Sequence, residues 1–258
     1  MINKCNILGV QIAAIDMPET LQYIYSHLAA WKHSGSYICV TNVHTLVYSC
    51  EHPDYMRIQN NAALALPDGK PLSIICKRKG YMGAARVTGP DLMTEIFKDS
   101  AANHLRHFFY GSTPETLEKL KRQLSEIYPE LLIAGMYSPP FRTLTSFEKE
   151  KVIEQINQAS PDIVWVGLGA PKQEQWMNEY YTHVHSLMIG VGAGFDYHAG
   201  NIKRAPLWMQ RCCLEWLYRL IQDPRRLFKR YFYTNTKFIA LMIKDNYVRR
   251  KKTDSNGA

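Results

Sequence analysis

The sequence predicts an α/β protein: a largely parallel sheet with helices on both faces, followed by a basic helical appendage. Three observations predict it. Short apolar runs alternate with helical patterns up to about residue 200, as in a parallel sheet covered on both sides. Gly, Pro, Asn and Asp gather just after those runs. Positive charge gathers at the end: residues 203–258 hold 14 of the 31 Lys and Arg but 4 of the 23 Asp and Glu, leaving 17 basic against 19 acidic residues before them.

The expected strands are 37–41, 62–66, 107–111, 131–137, 162–168 and 186–192. The expected helices lie near 18–33, 43–60, 90–102, 114–127, 145–159 and 171–182. Two helix starts are marked chemically. Thr113 stands before Pro114, a cap ahead of proline at the first helical position. Thr145 and Glu148 have capping-box spacing. Residues 205–222 read as one helix, with Trp208, Met209, Cys212, Trp216 and Leu220 at helical spacing. Pro224 starts another, and residues 225–252 interleave Arg and Lys with Phe228, Tyr231, Phe232, Tyr233, Phe238 and Ile239. The expected organisation is a core over 1–200 and an appendage over 201–258.

Composition narrows the classes. A hydrophobic fraction of 46% excludes bulk disorder. No window reaches about 18 uninterrupted apolar residues, so no membrane-spanning helix is predicted. The first residues lack the apolar stretch and cleavage site of a secretory signal, so the expected location is the cytoplasm. Cys5, Cys39, Cys50, Cys76, Cys212 and Cys213 form no CxxC pair and read as reduced, mostly buried thiols. A basic tail on a near-neutral body points to phosphate groups or an anionic membrane surface.

Open α/β sheets bind ligands beyond the carboxyl ends of their strands. Those positions carry Asn42, Pro67-Asp68-Gly69, Gly111-Ser112, Tyr137, the run Gly167 to Glu174 with Gly169 and Gln173, and the run Gly192 to Asp196. Each alone is ordinary turn chemistry. Together they predict a polar cleft rimmed by backbone N–H groups, suited to a phosphorylated ligand. Asp68 is the carboxylate to single out, as a general base or as a turn residue; position alone leaves both open. Gly190-Val-Gly-Ala-Gly lacks the GxGxxG spacing. There is no Walker A run, no HExxH and no Asp-x-Asp pair to hold a metal. Without that pair, the charge of a leaving diphosphate falls to Arg side chains and helix N-termini. Arg219, Arg226, Lys229 and Arg230 share much of one helical face, either a solvated surface or an interfacial helix with its basic groups towards anionic lipid.

Seven segments occur together and in order: LPDGKPL (66–72), RVTGPDL (86–92), FFYGS (108–112), YSPPF (137–141), VGLGAPKQEQW (166–176), GVGAGFDYHAGNIKRAPLWMQ (190–210) and LEWLYRLIQDPRRLFKRY (214–231). In these the chain resembles the WecG/TagA/CpsF glycosyltransferase family over roughly residues 5–232. The resemblance implies a Rossmann-like core and an inverting, metal-independent transfer that needs no cofactor. It implies a UDP-sugar donor, carrying N-acetylmannosamine or a related hexose, and a sugar on undecaprenyl diphosphate as acceptor. The product would feed bacterial surface-polysaccharide synthesis. The appendage would close the site at the inner face of the cell membrane, where the protein would sit peripherally. By position, Asp68 matches the general base, Arg86 an arginine near the sugar or diphosphate, and Asn42 a polar strand-end residue. Gly111, Ser112 and Gly169 fall in the matched strand-end loops of the donor side. Tyr137 and Asp196 match positions that hold uridine, and Gln173 one close to the donor phosphates. Arg219, Arg226 and Lys229 match the basic set of the appendage. Two departures bear on the donor: Val40 stands where the family commonly has Thr in Thr-x-Asn, so the donor differs or Thr41 substitutes, and Lys70 replaces a small or polar residue. Members can self-associate, and an appendage rich in Trp and Tyr, if not docked on its own body, would pack on a neighbour, so a homo-oligomer is one possible partner and the oligomeric state stays open. No nucleic-acid partner is implied. The rival class is a non-catalytic protein that holds a nucleotide, or binds RNA through its tail.

Overall fold

The computed structural model describes residues 2–212 and 214–255, with side chains described for all of these except Arg211, Arg226 and those from 247 onward. A short antiparallel hairpin opens the chain, β1 (Lys4–Ile7) and β2 (Val10–Ala13). Its two-residue turn is Leu8-Gly9, both at positive φ (51° and 94°), the turn sense that matches strand twist. Then come α1 (Met17–Ser34), β3 (Ser36–Thr41), α2 (Val43–Glu51), α3 (Pro53–Asn61), β4 (Leu64–Pro67), α4 (Lys70–Arg78) and α5 (Gly89–Asn103). The second half holds β5 (Arg106–Gly111), α6 (Pro114–Ile127), β6 (Leu132–Tyr137), α7 (Ser146–Ala159), β7 (Ile163–Gly167), α8 (Lys172–Tyr180), β8 (Leu187–Gly190) and α9 (Gly194–His198). The appendage is α10 (Leu207–Arg211), α11 (Glu215–Gln222) and α12 (Pro224–Ser255).

Six strands form one sheet in the order β4-β3-β8-β7-β5-β6, and every pairing is parallel. The expected fold class is the observed one. Alternate residues of each strand feed two cores. Ile38, Phe109, Trp165 and Ile189 pack with Ile24 of α1, Ile96 of α5 and Leu120 of α6. Tyr37, Tyr110, Val164 and Met188 pack on the other face with Ile156 of α7 and Met177 of α8. Thr113 and Thr145 cap α6 and α7, the latter with the full capping box.

Four details differ from the expected elements. Pro53 divides the helix expected over 43–60, entering α3 at its first turn where its missing N–H is not needed. The region after Pro67-Asp68-Gly69 is a helix, α4, with Pro71 in its first turn. In place of the one helix expected over 205–222 there are two, ending at Arg211 and starting again at Glu215. The hairpin was not foreseen. Of the cysteines, Cys5, Cys39 and Cys76 are buried, Cys50 is half-buried and Cys212 is exposed; Cys213 lies outside the described residues.

The appendage folds back on the core. Phe238 and Met242 of α12 join a third cluster formed by the hairpin, Leu46 of α2 and Leu72 of α4. Lys237 and Tyr233 of α12 both reach Glu51 at the end of α2. The inner face of α12 is therefore docked on its own chain. No helix among the described residues is long and apolar enough to cross a membrane.

His107 lies fully buried on β5. Its Nδ1 accepts from Trp165 Nε1 (3.1 Å), which leaves the proton on Nε2 to donate to Ser100 Oγ (2.8 Å). Burial, opposed by the Asp162 charge, lowers its pKa to about 4. A neutral buried imidazole must charge in acid. Its stabilisation is complete above the unfolded pKa near 6.5 and is lost as pH falls through about 4, at most about 3 kcal/mol. Urea unfolding of the wild type should weaken across that window, and His107→Gln should flatten that part of the profile. Identical slopes in the two proteins would assign the loss elsewhere.

Candidate active site

Parallel pairing puts all six carboxyl ends on one edge of the sheet. β5 and β7 are neighbours there, yet α6 and α8, which follow them, leave to opposite faces. Such a switch point opens a crevice for ligand. A cavity of about 1560 Å³ occupies it, walled by the strand ends on one side and by Trp216, Arg219, Arg230 and Tyr231 of the appendage on the other.

The floor is built around Asp68. Its backbone N–H donates to the Thr41 carbonyl (2.9 Å), tying the end of β4 to β3. Asn42 caps α2, its Oδ1 accepting from His44 N (3.0 Å) and Thr45 N (3.2 Å). That leaves Asn42 Nδ2 aimed at Asp68 Oδ2, 3.4 Å away. Arg86 Nε donates to the Asp68 carbonyl (3.0 Å). Burial raises the Asp68 pKa to about 6; Arg86, Asn42 and Arg219 oppose the rise, and Glu215 adds to it. A carboxylate poised there is ionised at neutral pH yet basic enough to take a proton.

An ionic chain links this floor to the appendage. Arg86 pairs with Glu215 of α11. Glu215 lies 3.8 Å from Arg204, and Arg204 pairs with Asp91 at 2.8 Å. The guanidinium groups of Arg204 and Arg219 each lie 5.5 Å from the Tyr197 ring centroid. Burial raises the Tyr197 pKa to about 12, so its hydroxyl stays a hydrogen-bond donor. Among the described residues, no three His, Cys, Asp or Glu side chains gather as metal ligands.

The strand-end loops supply backbone. Gly111 has φ 124°, and a Cβ there would stand 2.6 Å from the Gly167 carbonyl carbon, so only glycine fits. Ser112 also sits at positive φ, 61°, uncommon for a residue with a side chain and typical of functional turns. Its N–H donates to the Gly167 carbonyl (3.1 Å). Ser112, Gly169 and Asp196 line the cavity. Asp196 Oδ1 accepts from Asn201, which also bonds Thr116 on α6.

Gln173 is buried, with both its amide oxygen and its amide nitrogen hydrogen-bonded. Its Oε1 accepts from Gly169 N (3.1 Å) and Gly192 N (3.0 Å), and its Nε2 donates to the buried Glu174 (2.8 Å). It braces the loops after β7 and β8 against each other. Gln173→Leu leaves two N–H groups unmet and takes one donor from the Glu174 carboxylate, and should destabilise by roughly 2–4 kcal/mol. Thermal unfolding checks this. An unchanged melting temperature with a raised donor KM would instead make Gln173 a phosphate ligand.

Other expected positions are placed less centrally. Tyr137 stands outside the cavity lining, stacked on Tyr110 (centroids 5.9 Å apart), which stacks in turn on Trp176 (4.2 Å); Tyr110 and Trp176 line the cavity. Arg219 lines it, Lys229 is exposed and outside the lining, and Arg230 is inside it. The Arg226 side chain lies outside the described residues. The Thr41 hydroxyl is buried and donates to Gln59 (2.6 Å), so it does not replace the absent threonine; Val40 itself faces the cavity. Reading the sequence did not single out Tyr197, Arg204, Glu215 or Trp176. All four lie inside the matched segments, but nothing in their spacing shows that they converge.

Residues 5–252 match the model of the Glycosyl transferase WecG/TagA/CpsF family. The chain belongs to this family. Its relatives in it include the N-acetylglucosaminyldiphosphoundecaprenol N-acetyl-beta-D-mannosaminyltransferases of Staphylococcus aureus strains MW2 and NCTC 8325 / PS 47. Each is 30% identical over 225 residues, 87% of either chain. As a WecG/TagA/CpsF member the protein is a glycosyltransferase, which displaces the binding-only reading.

Proposed function

We propose that this glycosyltransferase moves a hexose, N-acetylmannosamine or a close relative, from UDP to a sugar carried on a polyprenyl diphosphate, with inversion at C1. The observation that carries the reading is Asp68: a carboxylate with raised pKa on the floor of a cavity at the switch point, held by Asn42 and flanked by Arg86 and Arg219. The donor lies along the carboxyl edge, its diphosphate near the Gly169 and Gly192 loops and Arg219. Asp68 removes the proton of the acceptor hydroxyl as that oxygen attacks C1 opposite the UDP. One displacement inverts the anomer. The cationic groups meet the charge developing on the leaving diphosphate. Arg86 releases Glu215 to join them. The transferase activity for which the relatives are named supports the acceptor class and the sugar. Val40 in place of a threonine offers the donor sugar an apolar contact instead of a hydroxyl. The exposed Phe228, Phe232, Ile239 and Ile243 of α12, beside basic residues, suit a position at the membrane surface.

The test is the lipid product. A short-chain polyprenyl-diphosphate N-acetylglucosamine is incubated with a panel of UDP-hexoses, and the extracted lipid is weighed by mass spectrometry. The reading expects a gain of one hexose unit from one donor, joined with the anomer opposite to the donor's. An unchanged lipid with every donor, membranes included, rejects it.

A further inference from the structure

The cavity extends past Asp68, away from the donor loops, into a lobe between the start of α2, the start of α4 and the first half of α12. His44, Lys70, Arg230, Phe238 and Ile239 line it. Its basic groups are unmatched. Among the described residues the Arg230 guanidinium meets no carboxylate; it lies over the Tyr231 ring, 5.3 Å from the centroid. Arg230 Nε and His44 Nδ1 are both buried without a hydrogen-bond partner. Burial first, and the Arg230 charge second, push the His44 pKa below its ordinary value. A guanidinium N–H and an imidazole nitrogen thus both line the lobe with hydrogen-bonding capacity that no described residue meets. The nearby carboxylates are engaged elsewhere: Glu51 with Lys237 and Tyr233, Glu215 with Arg86. Lys70 at the first turn of α4 adds a third basic group with no ion pair among the described residues.

The far end of the lobe is apolar. Phe238 and Ile239 line it, and Ile239 continues outward into the exposed Phe232 and Ile243. A ligand that satisfies the whole lobe has a doubly charged head and a hydrocarbon tail. Buried donors left unmet are costly, so such sites are built for the group that meets them.

We propose that this lobe is a second diphosphate site, in which Lys70, Arg230 and His44 hold the diphosphate of a lipid-linked acceptor while Phe238 and Ile239 lead its hydrocarbon out along the exposed face of α12. The inference rests on the transfer proposed above and adds where the acceptor sits. It places the acceptor sugar over Asp68, between the two diphosphates, and gives Lys70 a role in holding the acceptor.

The experiment is calorimetric binding of farnesyl diphosphate with UDP saturating, for wild type, Lys70→Gln, Arg230→Gln and the double variant. Wild type binds farnesyl diphosphate beside UDP. Each single variant weakens it about tenfold or more, as loss of a charge-assisted contact does, with UDP affinity within about twofold of wild type. Retained UDP affinity also shows that the fold survives. Farnesol binding as tightly as farnesyl diphosphate would overturn the proposal, since apolar surface alone would then explain the lobe. So would direct competition between farnesyl diphosphate and UDP, which would assign these residues to the donor. Binding is read without turnover, so a failure of sugar transfer counts against the proposed reaction and not against this site.

Discussion

Asp68→Asn lowers turnover by roughly 10²–10⁴-fold, the span over which a positioned general base acts, and leaves UDP affinity within about twofold of wild type. The side chain touches the acceptor's proton in this account, not the nucleotide. The same change should raise stability. Burial holds the Asp68 pKa at about 6 against an ordinary 3.8, so at neutral pH the folded protein keeps a charge that its surroundings oppose. A raised pKa favours folding fully below the unfolded value and loses that benefit as pH rises through about 6. At pH 7 the neutral amide therefore relieves at most about 3 kcal/mol. Steady-state kinetics with thermal unfolding at pH 5 and pH 7.5 check both halves: the variant's stability gain should be present at 7.5 and shrink at 5. An inactive variant that is also less stable at pH 7.5 would make Asp68 a structural residue of the turn.

Arg219→Gln should lower kcat by roughly 10²–10³-fold, the cost of removing one preorganised group that stabilises developing charge. Arg219 lines the cavity from α11, lies over Tyr197, and contributes to the electrostatics at Asp68. Its work is assigned to the departing diphosphate, so the loss falls on kcat and kcat/KM together. A raised KM with unchanged kcat would mean that it binds ground state and transition state alike. Lys229→Gln, exposed and outside the lining, supplies the contrast and should change kcat by less than about threefold, as loss of a solvent-screened charge does.

The sheet was legible because strands buried on both faces read as continuous apolar runs: all six appear, with ends shifted by a few residues. The β1–β2 hairpin was not, because its strands are 4 residues each and its turn is Leu8-Gly9, without the Asn-Gly or Asp-Gly signal. α4 was hidden by Pro71, which reads as a turn but suits a helix's first turn. In the site, the strand-end positions Asn42, Asp68, Ser112 and Gly169 converge because parallel topology alone sends them to one edge. The contribution of the appendage was harder to read. Which face of α12 turns inward is decided by Leu227, Thr234, Phe238 and Met242 packing or burying against the core, and that choice puts Arg230 rather than Lys229 in the cavity wall. Charge periodicity cannot distinguish neighbours on one helix. Nor does spacing disclose that Glu215 folds back on Arg86, 129 residues earlier, or that Gln173 spends its amide on two glycine loops.

The pH dependence of kcat/KM, measured from pH 5 to 8 with both substrates well below saturation, tests the central claim most directly. The account predicts activity that is constant above neutrality and falls tenfold per unit below a midpoint near 6, the pKa of Asp68 in the free enzyme, and this limb should vanish from the residual activity of Asp68→Asn. A flat profile down to pH 5, or the same limb in the variant, would contradict it and move the proton transfer to another group.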